Sequence, residues 1–144
     1  MGTNNNSSEQ PFLARKAYAD LTGYDTAAAF TVTGDVLVQV CGVVGGTAIT
    51  STSGTTTLSV GHSGSTEALI ANTTIDNIQF TANVVWVDTS PGDQMEAQEE
   101  SGWFVVGGGA DIQLTRDVDD ITAGALTLYC WWRPLSAGAT VVAT

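Results

Sequence analysis

The chain has 144 residues, enough for one domain that buries roughly 70% of the surface its unfolded form exposes and too few for a second core. Its 15 acidic residues against 4 basic ones give a net charge of -11, which repels phosphate backbones and removes nucleic acid from the expected partners. No apolar run approaches the ~20 residues that cross a bilayer, and no positively charged segment leads into an apolar one, so neither a membrane nor a secretory role is expected.

The first residues, "MGTNNNSSEQP", are polar and rich in Asn and Ser, with nothing to build a core. They predict an N-terminal arm, placed at residues 1–17, ahead of a β domain at residues 18–144. In "FLARKAYADLTGYDTAAAF" the apolar residues Phe12, Leu13, Tyr18 and Leu21 have no regular spacing, which predicts an extended segment lying along a surface. Arg15 and Lys16 put half of the positive charge here, making the arm a candidate for contact with something acidic.

From Phe30, "FTVTGDVLVQVCGVVGG" is apolar on both alternating sets, the pattern of one strand covered on both faces. A turn at Ser53-Gly54 precedes a half-exposed strand carrying Leu58 and Val60. "STEALIANTTIDNIQF" shows no clean period and predicts a loop with a short ordered piece. Further strands are expected at Val84 to Val87, before a Pro91-Gly92 turn, at Trp103 to Val106, and around Ile112 to Leu114. Leu126, Leu128, Cys130 and Trp132 then alternate with Thr127, Tyr129 and Trp131, another strand. Strands at roughly 8–12-residue intervals with Gly-rich turns predict an all-β, single compact antiparallel β-sandwich or jelly-roll-like domain with an extended N-terminal arm.

Few stretches suggest chemistry. "RDVDD" holds Asp117, Asp119 and Asp120 but lacks the glycine and distal glutamate of a calcium loop, so a solvated connection between adjacent strands is expected. Asp93, Glu96, Glu99 and Glu100 form a second acidic stretch, expected to be an exposed loop. In "GHSGS", His62 and Ser63 imitate a nucleophile elbow, but Ser65 stands where glycine is needed and His62 is the chain's sole histidine. No catalytic residue, cofactor or metal is expected. Cys41 and Cys130 sit inside apolar strands, where reduced, structural thiols are expected; a bridge would require the strands to be neighbours. Trp131 and Trp132 point to opposite sides of their strand, so one must meet a second layer of the domain, a subunit interface or a sugar ring. Arg133 is placed to cap such an interface.

The stretches "FLARKAYADLTGYDTAAAFTVTGDVLVQVCGVVG", "TSTSGTTTLSVG" and "ADIQLTRDVDDITAGALTLYCWWRPLSAGA" together resemble the head auxiliary proteins of tailed bacteriophages, also called decoration or cement proteins. The resemblance implies a non-enzymatic protein made in the host cytoplasm and found on the outer surface of the virion. There it would bind the major capsid protein as a homotrimer and stabilise the head. The family offers no catalytic residues to carry over; interface roles are assigned here to Phe12, Arg15, Lys16, Trp131 and Arg133, with Phe12 expected in a groove of the shell and Arg15 and Lys16 paired with its carboxylates. A carbohydrate-binding or adhesion module of a tail or head fibre is the competing expectation, carried by an exposed tryptophan.

Overall fold

A computed structural model describes residues 10–75, 80–92 and 102–144. Twelve antiparallel strands run through them: β1 (Phe12–Tyr18), β2 (Ala27–Thr33), β3 (Val36–Val44), β4 (Thr50–Ser51), β5 (Thr57–His62), β6 (Ser65–Thr74), β7 (Val85–Trp86), β8 (Phe104–Val106), β9 (Ile112–Asp117), β10 (Ile121–Ala123), β11 (Leu126–Pro134) and β12 (Thr140–Ala143). The front sheet has the order β1-β11-β3, with β7 and β8 both pairing along the far edge of β3. The back sheet has the order β12-β2-β9-β5-β6, and β4 pairs β10 in a separate ribbon.

With β7 and β12 set aside, the front order β1-β11-β3-β8 and the back order β2-β9-β5-β6 are those of a jelly roll, in which the chain repeatedly crosses between two four-stranded sheets. The expected sandwich is present. Alternation explains the core: Val36, Val38 and Val40 on β3 and Leu126, Leu128 and Cys130 on β11 face Phe30, Leu58, Val60, Ile112 and Leu114 of the back sheet, all buried. Trp86 ties the layers together, because its indole N–H donates to Thr73 Oγ1 on β6 at 2.9 Å while its ring meets Phe80 edge-on. No helix long and apolar enough to cross a membrane is present among the described residues.

Several expected elements are altered. The single strand expected from Phe30 is two, β2 and β3, in different sheets. Gly34, at φ +69°, turns the chain between them, and a Cβ there would meet Ser136 Oγ at 2.7 Å. "STEALIANTT" is a ten-residue edge strand, β6, whose pairing with β5 slips twice, and each bulge breaks the period of two. "RDVDD" does not join adjacent strands: it leads from β9 in the back sheet, through β10, to β11 in the front sheet. Residues 12–17, expected in the arm, belong to β1, an edge strand in register with β11 from Phe12↔Trp132 to Tyr18↔Leu126. Residues 1–9 of that arm, Ile78 and the acidic stretch Asp93, Glu96, Glu99 and Glu100 lie outside the described residues.

Candidate functional site

The register of the front sheet lays its outward side chains in rows. Arg133, Leu37 and Val105 form one; Leu13, Trp131 and Gln39 the next; then Arg15, Tyr129 and Cys41; then Ala17, Thr127, Val43 and Val85. Rows on one face lie about 7 Å apart. A sheet facing water on its outer side normally alternates apolar-in with polar-out. Here the outward set is aromatic and aliphatic, and Leu13 and Val105 are 54% and 68% exposed.

The aromatic groups are continuous. Tyr129 and Trp131 stack with ring centroids 6.2 Å apart, and Trp131 and Trp103 line a shallow depression of about 380 Å³ with Pro11, Gln39, Cys41, Val85 and Val87. The Arg133 guanidinium lies 5.7 Å from the Trp103 ring centre, a cation–π contact, and its Nε is buried without an acceptor among the described residues. Arg15, also on this face, is exposed and forms no ion pair among the described residues. No acidic side chain belongs to these rows.

The back sheet is its opposite. Its outward positions carry Thr31, Thr33, Thr57, Gln113, Thr115 and Thr140, mostly hydroxyl and amide groups, together with Asp117 opposite Thr57 and the exposed Val142 opposite Thr31. The two outer faces of the sandwich therefore differ in kind.

The proposed interface residues do not all meet. Trp131, Arg15 and Arg133 share the front face. Phe12 and Lys16 are on the inward side of β1: Phe12 stacks on Trp132 at 4.7 Å, and the Lys16 amine donates to Thr144 O with the Tyr18 ring centre 5.5 Å away. Lys16 is thus already engaged by its own chain, and Phe12 closes the sandwich edge over a tryptophan. Of the pair, Trp132 packs on the core and Trp131 faces out. Leu13 and Trp103, absent from the sequence-based candidates, complete the face; Leu13 meets Trp131 only through the pairing of β1 with β11.

The remaining candidates are structural. In "RDVDD", Arg116 Nε donates to Tyr24 O at 2.7 Å, its Nη1 to Asp119 O at 3.0 Å, and its guanidinium lies within 3.4 Å of Asp25 and 3.6 Å of Asp120. Asp119 accepts from Ser53 Oγ at 2.6 Å. No group of three metal-ligating side chains occurs among the described residues. His62 and Ser63 lie at the hairpin between β5 and β6, with His62 Nδ1 accepting the Gly64 N–H at 3.1 Å. Cys41 and Cys130 are free and buried, and desolvation pushes their thiols up to about 11 and about 12, away from the reactive thiolate.

No protein-family model matches the chain, and no curated protein matches it. Among solved structures it is similar to a chain titled "Cyanophage Pam1 capsid asymmetric unit", at a TM-score of 0.44 and 13% sequence identity over 93% of this chain and 91% of that one.

Proposed function

We propose that the protein is a non-enzymatic decoration protein that attaches to the outer surface of a phage shell, binds its major capsid protein and stabilises the head, acting as a homotrimer. The observation that carries this reading is the front face, left uncovered among the described residues: a mostly aromatic and aliphatic sheet surface on a sandwich whose other outer face is mostly hydroxyl and amide groups. Such sidedness suits a module that docks by one face and presents the other to water. The high negative charge keeps it soluble at the local concentration a decorated shell imposes. The sequence resemblance to head auxiliary proteins points the same way.

The test is the copy number of this chain relative to the major shell protein in purified particles, by quantitative mass spectrometry. A ratio comparable to the shell subunit supports decoration over the whole head. A few copies per particle move the protein to a tail or fibre, and absence overturns the virion role. Light scattering of the purified chain tests the trimer.

The stacked Tyr129 and Trp131 rings favour a second reading, a glycan-binding module. Among the described residues Gln39 is the one amide or hydroxyl side chain lining the depression, which leaves little to orient sugar hydroxyls. Quenching of tryptophan fluorescence by glycans, lost in Trp131→Ala, would support it.

A further inference from the structure

The chain's four basic residues divide into two kinds. Lys16 is bound to Thr144 O, and Arg116 is held among Tyr24, Asp25, Asp119 and Asp120. Arg15 and Arg133 have no carboxylate partner among the described residues, and both lie on the front face. On a protein of net charge -11, the mostly apolar front face is thus also one whose charged groups, among the described residues, are all positive.

Their spacing follows from the register. Arg15 pairs with Tyr129, and Arg133 is four residues further along β11, so the two Cα atoms lie about 14 Å apart with the Trp131 row between them. Arg133 is further fixed by its stack on Trp103. The Trp131 row is thus flanked by a cation in the row on either side.

We propose that the front face docks on a protein surface of complementary form: an apolar centre that receives Trp131 and Leu13, flanked by two acidic side chains that pair with Arg15 and Arg133. This rests on the shell-binding function above and adds the chemistry of the partner's site. Charge complementarity selects the occupant. A second copy meeting this one face to face would set arginine against arginine. A nucleic acid would find two cations on a strongly acidic protein, too few to offset the repulsion. A partner carboxylate opposite Arg133 also supplies charge that the described residues of its own chain do not.

The experiment measures binding of the full chain to purified shells stripped of it, across a salt series, for the wild type, Arg15→Glu/Arg133→Glu, Arg15→Gln/Arg133→Gln and Trp131→Ala. Thermal unfolding confirms that each variant folds. Charge reversal is expected to weaken attachment by more than about a hundredfold, with attachment now strengthened by salt, and the glutamine pair by about tenfold, with a flatter salt dependence than wild type. Trp131→Ala should weaken attachment while keeping the wild-type salt dependence. Wild-type attachment with unchanged affinity in the charge-reversed variant overturns the docking chemistry and leaves shell binding standing. Failure of the wild type to attach overturns both. Loss of self-association in the charge-reversed chain without shells identifies a second copy as the occupant and overturns the proposal.

Discussion

Cys41 and Cys130 sit on neighbouring strands one register step apart, yet their side chains lie on opposite faces of the front sheet, Cys41 outward beside Tyr129 and Cys130 inward beside Val40. Adjacency of strands is therefore not enough for a bridge; the Cβ vectors diverge. Two thiols per chain should titrate in denaturant without reductant, and in the native state alkylation should reach Cys41, at the depression, before Cys130.

The same burial fixes an alkaline limit. Both folded thiol pKa values are raised by desolvation, so the stabilising contribution is full below the ordinary thiol value and is lost as pH rises through the folded values. Denaturant midpoints should hold below about pH 9 and fall from there toward about pH 12. Tyr18 and Tyr24, also raised by burial, act in the same direction, so Cys41→Ala/Cys130→Ala should remove only part of the decline.

Trp131 and Trp132 should separate stability from attachment. Trp132→Ala removes a ring packed on the core and stacked on Phe12, and should cost about 2–4 kcal/mol in urea unfolding. Trp131→Ala should cost under about 1 kcal/mol and reduce shell binding.

Arg116→Met should lower stability by about 1–3 kcal/mol, because it leaves Tyr24 O and Asp119 O without their donor and Asp25 and Asp120 without their counter-charge, while attachment to shells stays at the wild-type level. Equal stability of the variant would show that the loop needs no such clasp.

Val118, in the same loop, has φ +80°, a conformation that a β-branched side chain adopts only under strain, and its side chain is 59% exposed. Val118→Gly should raise the stability by about 1 kcal/mol, read as an upward shift in the denaturation midpoint.

A deletion ending at residue 9 removes residues ahead of β1, whereas one ending at residue 17 removes nearly all of β1. The shorter deletion should preserve the unfolding midpoint and report on attachment alone. The longer one should unfold the front edge and expose Trp132 and Cys130.

Where alternation was clean, structure could be read from the sequence: Ile112 and Leu114, and Leu126 through Trp132, mark strands whose inner residues fill the core. β1 could not be read because its inward set is Phe12, Ala14, Lys16 and Tyr18; at a sheet edge the lysine stem lies along the sandwich while its amine escapes to Thr144 O. β2 and β3 merged because the Gly34 turn is too short to interrupt the apolar pattern, and β6 vanished behind its bulges. Of the site, adjacency showed only that one of Trp131 and Trp132 must face away from the core, and the companions Leu13 and Trp103 come from distant parts of the chain, which no local pattern joins.

β11 lies between β1 and β3, and pairs with both. A ribosome-bound chain that has not yet released β11 holds two strands of the front sheet with no common neighbour, and neither Trp131 nor Arg133 is in place. The front sheet accordingly cannot close until β11 arrives, and its closure joins strands far apart in sequence, which is intrinsically slow. A fragment ending ahead of β11 would lack Trp131 and Arg133, and with them the centre and one cation of the docking face.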